Sequence, residues 1–304
     1  MKRLFKAFKK LKPGEKPLKD PEFPADYSSV HAGQDDEHQA HSTSGRYHSK
    51  PLVWLRPHEM TGNGTALLFE VGDVNVGSGF NANVRGQSAN YCLLLCLARI
   101  GNRQDLLHSV IPPGQTLHGK NYDGSVRFIF RQFGQEFELT IDDRLPTING
   151  ELAFSGTHRG QFWLCLLEKA FAKLFGSYED VPTCASLELL PLLTGGVCEE
   201  IYVREIKVDD LLKILQSALK RELIVEAFCA RNESSDDAEK CMKKLPNLPP
   251  GGHYIISGTA QVPRDGSSID VVKILDYRRA LLDQEYTRLS SDWYQLQANA
   301  TEEI

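Results

Sequence analysis

Between residues 126 and 175 the hydrophobic period of the chain changes once, from two to 3.6, and that switch limits the fold more than any other feature. Val126-Arg-Phe-Ile-Phe-Arg-Gln-Phe alternates apolar and polar residues, as does Glu136-Phe-Glu-Leu-Thr-Ile-Asp, and Phe133-Gly134-Gln135 between them marks a hairpin. From Phe162 to Phe175 the apolar residues recur at helical spacing, and Gly176 ends the run. Leu93 to Ile100 reads as a buried helix and Asp209 to Lys220 as another, whereas 222–229, 253–261 and 269–275 read as strands. A helix-rich half followed by a β-rich half predicts an α+β chain of two lobes with a cleft between them. There is no internal repeat.

The 304 residues, 41% hydrophobic and 25% charged, have the composition of an ordinary globular chain with room for one or two domains. Charge is unevenly placed. Residues 1–19 hold eight Lys/Arg against Glu15, a local +7, so the net −5 leaves −12 on the remainder. Leu4, Phe5, Phe8 and Leu11 fall near helical spacing among those lysines, a short basic amphipathic segment ahead of Pro13-Gly14. Such a segment suits an anionic membrane or an acidic partner; a solvated tail or a small helix packed on the body is the plainer reading. No apolar run reaches the roughly 18 residues of a membrane span, and the basic start lacks the apolar core of a signal peptide. Seven scattered cysteines form no CxxC pair, so neither a zinc site nor a disulfide framework is expected. A reducing cytoplasm fits them, and no nucleic-acid partner is expected. Residues 28–50, rich in Ser, His, Gln, Asp and Gly, read as a polar insertion.

Several blocks then become specific. Arg85-Gly-Gln-Ser-Ala-Asn-Tyr-Cys-Leu-Leu-Leu-Cys-Leu-Ala leads into the first apolar helix. Asp20-Pro-Glu-Phe-Pro-Ala-Asp and Trp54-Leu-Arg-Pro-His-Glu precede it; Ile141-Asp-Asp-Arg-Leu-Pro-Thr, Asn149-Gly-Glu-Leu and Phe162-Trp-Leu-Cys-Leu-Leu-Glu-Lys-Ala-Phe-Ala-Lys-Leu-Phe-Gly-Ser-Tyr-Glu follow. Thr194-Gly-Gly-Val, Gly252-His253, Glu285-Tyr-Thr and Ser291-Asp292 complete the series. In this order, over roughly residues 20–293, the blocks resemble the protease core of the calpain family, calcium-dependent cysteine proteases of the papain-like fold. After the basic segment of residues 1–19, the resemblance implies an opening segment, with the polar insertion, over 20–50, a first lobe over 51–185 and a second over 186–304.

It also implies where the chemistry should lie. In such proteases a cysteine at a helix N-terminus is activated by a histidine across the cleft, which an asparagine orients. Aligned without gaps, this chain has Tyr91 at the nucleophile position and Cys92 just after it. A phenol with an ordinary pKa near 10 is a poor acyl acceptor at pH 7. Cys92 becomes the nucleophile only in a register that needs a deletion and loses the Leu-Leu and Ala agreement beyond it. Arg85 holds the position of the oxyanion-hole glutamine, with Gln87 nearby. His253 is retained. Arg279, or Asp276 if a gap follows, takes the orienting asparagine's place, and Thr183-Cys184 stands where two glycines admit substrate backbone.

Calcium in this family rotates the lobes until the triad assembles. The first-lobe calcium loop corresponds to the region of Gly77, with Ala82 and Gln161 in place of its Asp and Glu. Glu285 and Asp292 match the second-lobe loop, whose later ligands fall beyond Ile304. Since hard Ca²⁺ prefers carboxylates among its six to eight oxygens, weak binding is expected. Three readings follow: a catalytically inactive pseudoprotease that binds a peptide or partner segment through the old interlobe cleft; an active calcium-dependent endopeptidase using Cys92 and His253; and a regulatory subunit competing for calpain partners or inhibitor.

Overall fold

The computed structural model describes residues 17–31, 51–62, 65–68, 93, 96, 97, 100, 103–156, 160–181, 186–228, 253–264, 267–275 and 291–295. The chain forms two units, Met1–Cys198 and Glu199–Ile304.

The first unit contains β1 (Val53–Leu55), α1 (Pro57–Met60), α2 (Gln104–Val110), β2 (Ser125–Gln132), β3 (Gln135–Asp142), β4 (Leu145–Ile148), β5 (Glu151–Leu152), α3 (Trp163–Phe175) and α4 (Ser186–Thr194). β2 and β3 pair antiparallel in register from Ser125↔Asp142 to Gln132↔Gln135, so the hairpin loop is Phe133-Gly134 alone and Gln135 is already strand. Both loop residues have positive φ, 53° and 73°, the left-handed pair that matches the twist of a two-residue hairpin. The alternation has its expected consequence: Val126, Phe128 and Phe130 are buried, while the residues between them are half-buried. Phe130 stacks on Phe137 across the strands and meets the edge of Phe171 from α3 at 5.1 Å. β1, β4 and β5 make a separate small antiparallel sheet in the order β1-β4-β5. Residues 93, 96, 97 and 100 are helical, and Leu93, Cys96, Leu97 and Ile100 are fully buried, one face at the helical repeat.

α3 runs from Trp163 to Phe175, and Gly176 at φ 120° takes the C-cap with its N–H on the Ala172 carbonyl. Its first ten residues are all buried, Glu168 and Lys169 included. Buried charge is tolerated only when paired and hydrogen-bonded. Lys169 Nζ donates to Asp142 Oδ1 at 2.6 Å, to the Asp142 carbonyl at 3.0 Å and to the Arg144 carbonyl at 2.6 Å, which uses all three of its donors. It also lies 5.3 Å from the ring centroid of Trp54. The other Asp142 oxygen accepts from the Asp20 N–H and from Arg144 Nη2. One turn further along α3, Lys173 donates to Asp20 Oδ2 at 2.6 Å and to the Thr140 carbonyl at 2.8 Å. Asp143 points the opposite way, pairing with Arg56 and accepting from the Tyr122 hydroxyl at 2.7 Å. Arg56 in turn donates to the Leu18 carbonyl. Two neighbouring carboxylates thereby fasten residues 18–20, β1 and α3 to the corner between β3 and β4.

Burial alone would raise the Asp142 carboxyl, but the Lys169 charge and the Arg144 hydrogen bonds outweigh it and hold it below the usual carboxylate range. A depressed carboxyl contributes stability above its unfolded pKa and loses it as pH falls through the folded value. Asp143 goes the other way: burial pushes it up against the pull of Arg56 and Tyr122. Its ionisation therefore works against folding as pH rises through the carboxylate range.

The second unit has α5 (Val208–Lys220), β6 (Glu226–Phe228), β7 (His253–Arg264), β8 (Ser267–Leu275) and β9 (Ser291–Gln295). Its strands form one antiparallel sheet in the order β6-β7-β8-β9, with an irregularity in β7 between Ile256 and Gly258. Leu211 and Leu215, four residues apart on α5, pack with Tyr254, Val272 and Ile274 of the sheet.

The network should behave as a coupled unit. Lys169→Met and Asp142→Asn are each expected to lower the unfolding free energy by about 3–5 kcal/mol, because each strands a buried charge. The double variant is expected to lose less than the two singles together, with a coupling of about 1–3 kcal/mol. Urea unfolding followed by tryptophan fluorescence measures all three.

Candidate functional site

His253 is the first residue of β7 and stands in register with Phe228 of β6, next to the buried Tyr254 that anchors the strand in the core. The antiparallel ladder beginning at this position carries the histidine of the expected triad. Tyr91, Cys92, Arg85, Gln87, Thr183, Cys184, Asp276 and Arg279, the residues expected around His253, lie outside the described residues. Beyond Cys92, the described residues Leu93, Cys96, Leu97 and Ile100 are helical and buried.

Of the expected calcium positions, Gln161 and Asp292 lie among the described residues, while Gly77, Ala82 and Glu285 do not. Gln161 is buried and pairs in parallel with Leu67, flanked by the Leu67 N–H on the Gly160 carbonyl and the Phe162 N–H on the Leu67 carbonyl. A neutral amide thus occupies the position that the resemblance gives to a carboxylate ligand, inside the core of the first unit. Asp292 is the second residue of β9, opposite Ile274 of β8. Among the described residues no group of three or more His, Cys, Asp or Glu could hold a metal ion.

Cys165 shows what a thiol in this fold looks like when it is not a nucleophile. It sits on α3 with Sγ donating to the Ser155 and Gly156 carbonyls at 3.2 and 3.0 Å. Burial pushes its thiol far up, and the nearby Glu168 carboxylate adds to the shift. Catalytic thiols require the opposite surroundings, positively charged and partly open. Glu168 itself is held by Ser155, which donates from its N–H at 3.0 Å and from Oγ at 2.5 Å. The Glu168–Lys169 pair is what pattern reading missed. Two charged residues inside an otherwise apolar helix face were the available signal, but it did not name their partners.

The Asp142–Lys169 corner assembles the Asp20, Trp54, Ile141 and Phe162 blocks, each distinctive in sequence, into one structural unit. A profile of the calpain family cysteine proteases matches residues 18–304, and the chain belongs to that family. Its α+β architecture is that of the papain-like calpain core. It is 30% identical over 261 residues to the mouse (Mus musculus) calpain-2 catalytic subunit, covering 84% of this chain and 34% of that protein. It is 32% identical over 259 residues to mouse calpain-8, with the same coverage of each. It is 34% identical over 224 residues to Drosophila melanogaster calpain-A, covering 73% of this chain and 24% of that protein. The chain therefore spans about a third of the length of the first two relatives. Among the described residues, no helix is long and apolar enough to cross a membrane.

Cysteine reactivity should follow these surroundings. In the native protein at pH 8, iodoacetamide is expected to modify the exposed Cys198 and to spare the buried Cys165 and Cys96. Mass spectrometry of the labelled peptides gives the result, and labelling of Cys165 in folded protein would contradict the burial described above.

Proposed function

We propose that this chain is a calpain-family pseudoprotease: it keeps the protease core, has lost peptidase chemistry, and binds an extended peptide or partner segment through the family's substrate cleft. The observation that carries the proposal is Tyr91 at the nucleophile position in the ungapped register from Arg85-Gly86 through Leu93-Leu94 and Ala98. Four further losses support it: Arg85 for the oxyanion donor, Arg279 or Asp276 for the orienting asparagine, Thr183-Cys184 for the cleft glycines, and the absence of the Pro-Trp-Gly that follows the asparagine in the family. Removal of one oxyanion donor alone typically costs ~10²–10³ in rate. His253 then serves as a polar group on the cleft wall. Calcium is at most weakly bound, and the protein works in the cytoplasm.

The purified protein is expected not to cleave casein with or without calcium, and Tyr91→Cys alone is expected not to restore cleavage, because triad members act as a unit. Robust hydrolysis by either protein refutes the proposal. Calcium-stimulated labelling of Cys92 by an epoxide or aldehyde thiol-protease probe would establish the rival reading, an active endopeptidase using Cys92 and His253. Co-purification with an active calpain, without labelling, would make the chain a regulatory subunit.

Calcium should also change stability little. Ala82 and Gln161 remove two formal charges from the first-lobe positions, leaving Glu285 and Asp292 as the matching acids. Stabilisation by a ligand vanishes when its Kd exceeds the available concentration. The thermal midpoint in about 1 mM calcium is expected to lie within roughly 4 °C of that in chelator, which corresponds to about 1–2 kcal/mol for a chain of this size. A larger rise means that the site is intact.

A further inference from the structure

Arg131, on β2, joins three segments through one guanidinium. Nη1 donates to the Leu193 carbonyl at 2.6 Å and Nη2 to the Ser109 carbonyl at 3.2 Å. Nε donates to Glu136 Oε1 at 2.8 Å, directly across the strand pair. Leu193 and Ser109 lie in the last turns of α4 and α2, where carbonyls have no acceptor role within their own helix and partial negative charge collects. A planar, permanently charged fork can serve both ends at once; a lysine ammonium is a single point.

The stem of the same side chain acts on the backbone. Gly195 follows α4 with φ 68°, and a Cβ there would stand 2.8 Å from Arg131 Cδ. Both the left-handed backbone and the close approach require glycine. The surrounding turn is fully tied: Gly195 N–H donates to the Pro191 carbonyl at 2.8 Å. Thr194 Oγ1 donates to the Leu190 carbonyl at 2.8 Å and accepts from the Gly196 N–H at 3.1 Å. These bonds end at Gly196. Val197 is 98% exposed, residues 197–202 have no regular structure, and the chain divides between Cys198 and Glu199.

We propose that Arg131 is the pin that fixes the direction in which the chain leaves the first unit. Arg131 is a positioning residue. The inference stands whether or not the protein is a peptidase.

The test is limited proteolysis of the full chain by a Glu-specific protease, with cuts after Glu199 and Glu200 mapped by mass spectrometry. When opening is fast, cutting tracks the population of locally open chain. Arg131→Met keeps an unbranched stem and removes every donor. It is expected to raise the initial rate at these two bonds roughly fivefold or more while Cys165 stays protected from iodoacetamide, since the loosening is local. Arg131→Lys should fall between parent and Met. Glu136→Gln should stay within about twofold of parent, because Glu136 touches neither helix end. A rate for Arg131→Met within about twofold of parent overturns the proposal, as does a rise matched by Cys165 labelling, which would mean general unfolding. If Arg131→Met does not fold, Gly195→Ala decides: it displaces the stem with the guanidinium intact, and the same two outcomes apply to it.

Discussion

The buried ion pair between Lys169 and Asp142 is the interaction on which the first unit depends. Neither side chain has measurable exposure, so both have left water, and their attraction offsets that cost only because every remaining donor and acceptor is also used. Asp142 draws in the Asp20 N–H and Arg144 as well as Lys169. Lys169 also donates to two backbone carbonyls, that of Asp142 at the end of β3 and that of Arg144 just before β4. Remove Asp142, and Lys169 is left as a charge without a carboxylate in a dry interior.

Family likeness and catalytic chemistry separate for the same reason. The blocks that make the chain recognisable, around Asp20, Trp54-Leu-Arg56, Ile141-Asp-Asp-Arg144 and Lys169, are the ones that meet in this network. They specify how the first unit packs. None of them supplies a nucleophile, a base or an oxyanion donor. A chain can therefore keep all of them whatever residue stands at its nucleophile position. The fold is strong evidence of descent and weak evidence of activity.

The regular elements were largely legible from period alone. The hairpin of β2 and β3, the helix α3 ending at Gly176, and α5 fall within a residue or two of where the pattern puts them. The strand expected over 222–229 shortens to Glu226–Phe228, and the expected 253–261 strand lengthens to Arg264. Edges of that kind are set by the partner strand, because a residue counts as strand only while something pairs with it. β7 continues as far as β8 runs beside it, and β6 pairs with only its first three residues.

By itself, the sequence determined the periodicities, the charge asymmetry, the family, and the residue types at each expected catalytic position, since all of these are properties of neighbours along the chain. Only the tertiary structure decided that Asp20 and Asp142, 122 positions apart, share a hydrogen bond. It also decided that Arg131 closes a helix end 62 residues away and that the Cys165 thiol is sealed against two carbonyls. Contacts at such separations have no period to reveal them. They exist because burying a charge or a polar group in the interior is permitted only where another segment brings a partner.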